Sequence, residues 1–235
     1  MSKASEAGSG TIDVREQPAY TLAEAARYVR VAQATLRSWA VGRAYPTAAG
    51  ARRFPALIHP SARQPTLLSF NNLIEAHVLR SLRTEHGVPL KAVRQALRYA
   101  ESELKIKRLL MRKDLATDAG QLFLDRYGEL LNLSASGQLA MRRLFEEHLK
   151  RVDWDARQFP VRLYPFVMTD GPGRERSIAI DPKVAFGRPI VVSAGVSTRA
   201  IADRIDAGES VRELAVDYGM SEREVEQAIM YERAA

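Results

Sequence analysis

The sequence predicts a mainly α protein with short β hairpins, an α+β architecture. A helical N-terminal unit carrying a hairpin wing precedes a small three-helix unit introduced by short strands. Three observations predict this. Capping-box signatures open runs of 3.6-residue apolar periodicity at both ends of the chain. Between them lie short apolar runs punctuated by proline, which suit strands better than helices. Basic residues gather in the first half, with 16 Lys and Arg against 5 Asp and Glu from Pro18 to Arg112, and 17 against 20 from Lys113 to Ala235.

At 235 residues the chain is long enough for two modest domains, each burying its own core. The absence of cysteine excludes disulfide frameworks, thiolate metal sites and cysteine nucleophiles. Met1 to Gly10 are small and polar, without the apolar stretch of a signal peptide, and no later segment has the length of a membrane span. The expectation is a soluble, cytoplasmic protein with no membrane contact.

Residues 1–17 carry no periodic pattern and read as a mobile tail, with order expected near Tyr20. Thr21 with Glu24 caps a first helix whose inner face is Leu22, Ala25, Ala26 and Val29. A second helix, roughly Ala32 to Val41, turns Leu36, Trp39 and Ala40 inward. The prolines between Arg52 and Phe70 predict a hairpin wing there. Helices follow from Asn71 to Thr84 and from Pro89 to about Leu104, separated by Gly87.

These elements make a first domain over 18–104. The connecting region 105–170 reads as a strand pair over 109–134, around Thr117-Asp-Ala-Gly120, a helix from Ser136 to Val152 and a strand from Arg162 to Met168. Thr169-Asp-Gly-Pro-Gly-Arg174 is the clearest turn or linker, and a last domain is expected over 171–235. It would hold strands Ser177 to Ile180 and Pro189 to Val192, then three short helices, two capped by Ser210 with Glu213 and by Ser221 with Glu224, and Gly219 between them.

The run Tyr20-Thr-Leu-Ala-Glu-Ala-Ala-Arg-Tyr-Val29, a tight turn and Ala34-Thr-Leu-Arg-Ser-Trp39 resemble the helix-turn-helix of the MerR-like family. The resemblance continues through Leu68-Ser-Phe-Asn-Asn-Leu-Ile-Glu75 and Gly87-Val-Pro-Leu-Lys-Ala-Val-Arg94. Arg30 stands where a turn glycine is usual, and Ala32 where a capping serine is common. The resemblance implies a winged DNA-binding domain whose second helix reads base edges while neighbouring arginines hold phosphates. Gln33, Thr35, Arg37 and Ser38 are the candidates on the helix, with Arg43, Arg52 and Arg53 at the wing. Duplex operator DNA is the implied partner. Palindromic operators demand two-fold proteins, so a homodimer is expected, through the Ser69–Leu104 helices or the apolar strands at 109–133.

At the other end, Ile178-Ala-Ile-Asp-Pro-Lys-Val-Ala-Phe-Gly-Arg-Pro-Ile190 leads into Asp206-Ala-Gly-Glu-Ser-Val-Arg-Glu-Leu-Ala-Val-Asp-Tyr-Gly219 and Ser221 to Tyr231. This looks like the small domain, originally of unknown function, found in VapB-type antitoxins of toxin–antitoxin modules. Ser193-Ala-Gly-Val196 replaces that domain's Gly-Thr-Arg-Ile turn. The resemblance implies a ribonuclease toxin of the PIN-like kind as partner, in a toxin–antitoxin hetero-oligomer. Phe186, Arg188, Asp206, Glu209, Tyr218 and Tyr231 are the expected contact residues. Two helices here also read as a helix-turn-helix, with Val211, Leu214, Ala215, Tyr218, Val225 and Ile229 inside. From Ala200 to Ala235, however, 4 Lys and Arg stand against 9 Asp and Glu, a sign that phosphate repels, so a protein partner fits better.

Catalysis has little support. His59, His77, His86 and His148 lack metal-ligand spacing, and Asp170, Asp181 and Asp203 sit where carboxylates cap turns and helices. No phosphate-binding glycine loop or nucleophile elbow occurs. Trp39 and Trp154 read as core or interface residues. The sequence thus reads as a cofactor-free, non-enzymatic antitoxin that represses its own operon. The alternative is a MerR-like regulator whose C-terminal half binds a small-molecule effector.

Overall fold

A computed structural model describes residues 13–48, 50–84, 90–103, 105, 107–111, 150–165 and 176–233. The expected strand pair around Thr117-Asp-Ala-Gly120, most of the Ser136–Val152 helix, Gly87 and the Thr169–Arg174 turn lie outside the described residues.

The first unit begins with β1 (Tyr20–Thr21) and α1 (Leu22–Tyr28). The capping box is present: Thr21 Oγ1 accepts from the Glu24 amide at 3.2 Å, and the Glu24 carboxylate accepts from the Thr21 amide at 2.9 Å. Arg30 holds a left-handed φ of 54° in the turn to α2 (Gln33–Val41), and Ala32 at the N-cap makes no side-chain cap bond. A hairpin of β2 (Arg43–Thr47) and β3 (Gly50–Phe54) follows, then β4 (Ala62–Arg63) and β5 (Thr66–Leu68), which join β1 in a three-stranded sheet ordered β1-β5-β4. The wing therefore precedes its expected place. Pro55, Pro60 and Pro65 do not interrupt it; Pro55 and Pro60 lie between the wing and β4, and Pro65 in the turn that joins β4 to β5, the other short pair.

Helices α3 (Phe70–Thr84) and α4 (Leu90–Ser102) match their predicted spans closely. Leu73, Ile74, Val78 and Leu82 of α3 are buried, and so are Asn71, Asn72, Glu75 and His77. A helix covered on nearly every side must satisfy its polar groups. Asn72 Nδ2 donates to the His59 carbonyl and to Glu75, both at 2.9 Å, and Glu75 pairs with Arg108 at 3.2 Å. Leu109–Met111, expected to open a strand, form a buried 3-10 turn against α3 instead.

Order also begins earlier than expected. Arg15 Nη1 pairs with Asp155 at 2.9 Å, the Asn71 amide donates to the Arg15 carbonyl at 3.1 Å, and Asn71 Nδ2 donates to Glu16 at 2.6 Å. Low hydrophobicity over 13–17 suggested mobility, yet these residues are tied down by polar partners distant in sequence.

The second unit is a five-stranded antiparallel sheet ordered β10-β9-β8-β7-β6, in which all neighbours are consecutive in the chain. Its strands are β6 (Val152–Trp154), β7 (Pro160–Leu163), β8 (Ile178–Ile180), β9 (Pro189–Val191) and β10 (Val196–Ser197). Val152 thus opens a strand and does not end a helix. Leu163 pairs with Ile180, so the sheet runs straight through the expected boundary at residues 170 and 171. Helices α5 (Thr198–Asp206), α6 (Val211–Tyr218) and α7 (Glu222–Arg233) complete the unit. Both expected capping boxes form, and Gly219 closes α6 at a left-handed φ of 64°.

Two cores result. The larger runs from Tyr20 through α3 and α4 and takes in Val152, Leu163 and Ile180; the smaller joins Ile178 and Val191 to the last three helices. The sheet belongs to both. Direct bonds close the seam, with Tyr20 Oη donating to the Gly187 carbonyl at 3.0 Å, Tyr231 Oη to the Tyr28 carbonyl at 3.2 Å, and Arg27 pairing with Glu232 at 3.0 Å.

Candidate nucleic-acid interface and partner surface

Three inward residues of α2, namely Leu36, Trp39 and Ala40, are buried and orient the helix against α1. The opposite stripe is Gln33, Ala34 and Arg37, all exposed. Gln33 and Arg37 are four residues apart and so stand one above the other, able to reach the same stretch of groove. Thr35 and Ser38 are half-buried on the flanks. Thr35 Oγ1 lies 3.4 Å from Arg83 Nη1 at the end of α3, so Arg83 adds an exposed cation beside the first turn of α2.

The wing is fixed to the other end of α2. Gly42 terminates the helix at φ 84°, where an added Cβ would meet the Phe54 carbonyl at 2.6 Å. Only glycine permits this approach. Just beyond, the amides of Leu57 and Ile58 both donate to the Trp39 carbonyl, at 2.7 and 3.1 Å. Helix end and wing base are therefore one rigid piece.

Hairpin register sorts the expected wing cations. Arg43 pairs with Phe54 and Tyr45 with Arg52, which puts all four on one face, while Arg53 opposite Ala44 is on the other. On the shared face Tyr45 and Phe54 stack with ring centroids 4.1 Å apart. Arg53 turns back, its Nη2 donating to the Val41 carbonyl. The structure thus groups Arg43 and Arg52 and leaves Arg53 to brace the helix end. Neither the Tyr45–Phe54 stack nor Arg83 was anticipated. The alternation of Tyr45 with Arg43 was a legible signal for the first, whereas nothing local marked Arg83.

Of the residues expected at a protein partner, Phe186 is the most conspicuous, with 93% of its surface exposed. It crowns a turn in which Ala185, Phe186 and Gly187 all hold left-handed φ values of 46°, 56° and 73°. Two non-glycine residues in that conformation each cost roughly 1 kcal/mol. Strain that presents an aromatic ring to solvent is typical of recognition loops. Arg188, next to it, is also exposed.

The remaining residues are drawn into intramolecular contacts. Arg204 lies over the Tyr218 ring at 4.9 Å, donates from Nε to Glu209 at 2.7 Å and pairs with Asp217. Hydrogen bonding to Arg204 holds the Glu209 carboxyl below its ordinary range. Asp206 sits apart, 3.7 Å from Arg233. Tyr231, expected at the partner surface, is 1% exposed; its hydroxyl is bonded to Tyr28, its ring lies beneath Arg30, and burial pushes its pKa up. Tyr231 therefore belongs to the seam. Its place at the end of an amphipathic helix gave no hint that another unit covers it. Val216, 78% exposed on α6 among Arg212, Glu213 and Asp217, was not anticipated.

Among the described residues no cluster of His, Asp or Glu could hold a metal ion, and no helix is long and apolar enough to cross a membrane.

Comparison with known proteins bears on both surfaces. Residues 18–97 match the family described as "Putative DNA-binding HTH domain", and residues 178–231 match "Protein of unknown function (DUF433)". The protein named "Putative antitoxin VapB45" of Mycobacterium tuberculosis is 28% identical over 243 residues, which cover 95% of this chain and 98% of that one. "Uncharacterized protein Rv2308" of the same organism is 41% identical over 54 residues, 23% of each chain. The crystal structure of Rv2018 from Mycobacterium tuberculosis superimposes with a TM-score of 0.65 at 25% identity, covering 91% of this chain and 97% of that one. The chain is thus similar, over nearly its whole length, to a protein named a putative VapB antitoxin, with the segment that matches the helix-turn-helix family at its N-terminal end and the segment that matches DUF433 at its C-terminal end.

Proposed function

We propose that this protein is a non-enzymatic, cytoplasmic antitoxin that binds and neutralises a PIN-like ribonuclease toxin and represses its own operon. The observation that carries the reading is the exposed helix–wing surface of Gln33, Arg37, Arg43 and Arg52 in a chain whose full-length relative is named an antitoxin. A dimer places two α2 helices in successive major grooves of an operator. Gln33 and Arg37 meet base edges, Thr35 and Ser38 flank them, and Arg43 and Arg52 hold phosphates, with Arg53 supporting the helix end. The toxin docks on the C-terminal unit, with Phe186 as the apolar anchor and Arg188 beside it. Asp206 and the Arg204, Glu209 and Tyr218 cluster supply a polar border.

The test uses the full chain as bait, because strands from both sides of residue 170 share one sheet. Tagged protein is captured from its native cells, and the co-purifying protein is separated by denaturant and refolded. The expected result is ribonuclease activity that disappears when the chain is added back in stoichiometric amount. Absence of a ribonuclease among the captured proteins refutes the antitoxin role. For the DNA-binding half, Arg37→Ala should weaken operator binding about tenfold or more and lower the slope of log affinity against log salt by about 1. Unchanged affinity and slope would remove α2 from the interface.

A further inference from the structure

A cavity of about 500 Å³ opens at the foot of the wing, between the segment Pro55–Leu57, α4 and the Leu109–Met111 turn. That size falls within the range of small-molecule sites. Leu57, Leu97, Leu109 and Leu110 supply apolar walls. Glu75 also lines it, but its charge is met by Arg108.

The cations of this cavity are unbalanced. Arg94 is 9% exposed, yet among the described residues it makes no ion pair; it has only a 3.4 Å bond from Nε to the Pro55 carbonyl and the Phe54 ring 5.0 Å away. Arg98 lies one turn further along the same helix, a like-charge spacing that disfavours the helix. Lys107 stands on the same rim, and neither it nor Arg98 forms an ion pair among the described residues. Burial, and next the nearby Arg98 charge, lower the pKa of Arg94. A buried charge is ordinarily paired, because taking it out of water without a partner is costly. Among the described residues of this rim the other carboxylate, Glu101, is exposed.

We propose that this cavity binds a small organic anion, its carboxylate or phosphate on Arg94, Arg98 and Lys107 and its apolar body against the four leucines. The site lies within the N-terminal unit, against the wing, and not in the C-terminal half. It is independent of the antitoxin reading, since binding is titrated into the chain by itself and needs neither operator nor toxin.

The probe is naphthoate, a planar aromatic carboxylate, titrated calorimetrically into the full chain with naphthalenemethanol as its uncharged counterpart. One saturable site per chain is expected, with a dissociation constant below about 1 mM and the alcohol about tenfold weaker. Arg94→Gln should weaken naphthoate about tenfold. Arg98→Gln and Lys107→Gln, at exposed positions, should each weaken it several-fold without altering thermal unfolding, which keeps the test decisive if Arg94→Gln fails to fold. Equal affinity for the alcohol, or unchanged binding in both Arg98→Gln and Lys107→Gln, overturns the proposal. So does the absence of saturation at 1 mM, or displacement of naphthoate by non-specific duplex DNA, which would assign these cations to the DNA backbone.

Discussion

The seam between the two units rests on a contact that a single methyl group should break. Gly187 holds a φ of 73°, and a Cβ added there would lie 2.2 Å from Tyr20 Oη and 3.1 Å from Tyr20 Cζ. Gly187→Ala therefore brings three costs. The left-handed conformation costs about 1 kcal/mol for alanine. Displacing the Tyr20 ring loses its buried hydrogen bond to the Gly187 carbonyl, about 1 kcal/mol. Overpacking adds about 1–3 kcal/mol. The sum is about 3–5 kcal/mol. Tyr20→Phe alone loses the hydrogen bond and leaves a buried carbonyl unpaired, about 1–2 kcal/mol. In the double variant the atom at 2.2 Å is gone, so strain and the lost bond remain but most of the overpacking does not, leaving about 2–3 kcal/mol. The double variant should thus fall short of the sum of the singles by about 2–4 kcal/mol. Urea denaturation followed by circular dichroism reads all four stabilities. Additive single effects would show that Tyr20 and Gly187 do not touch, and the described seam would be wrong.

Gly219→Ala is the control at a left-handed glycine with open space: nothing lies within 4 Å of an added Cβ, so only the conformational cost of about 1 kcal/mol should appear in the same denaturation experiment. At the wing, Arg43→Ala and Arg52→Ala should each lower the salt slope of DNA binding by about 1, and Arg53→Ala by clearly less, because register puts Arg53 on the opposite face; equal effects in a salt series of binding isotherms would contradict that register. Hydrogen bonds from the Ser210 amide and hydroxyl hold the Glu213 carboxyl below its ordinary 4.5. A depressed carboxylate stabilises the fold above its unfolded pKa, and that contribution is lost as pH falls through the folded value. Acidification from pH 5 should therefore loosen the start of α6. Ser210→Ala should move the Glu213 titration, followed by NMR, upward toward 4.5; an unmoved titration would separate the shift from the cap.

What the sequence by itself determined is local. Thr21 with Glu24, Ser210 with Glu213 and Ser221 with Glu224 each place a helix start, because a capping box satisfies orphan amides within four residues and needs no other part of the chain. Gly219 marks a helix end for the same reason. Apolar periodicity found the buried faces of α1 and α2, and with them the outward stripe of Gln33 and Arg37. Tertiary structure decided everything that depends on a partner far away in sequence. Antiparallel pairing joined Leu163 to Ile180 across a Gly- and Pro-rich stretch whose composition reads the same in a linker and in a turn between paired strands. Hairpin register separated Arg53 from Arg43 and Arg52, since a period of two puts adjacent residues on opposite faces only once pairing is known. Arg30 stands where a turn glycine was expected, and its reason appears only in the fold. Its guanidinium covers the ring of Tyr231, which lies 201 positions later in the chain, at the seam where the helix-turn-helix meets the C-terminal helix.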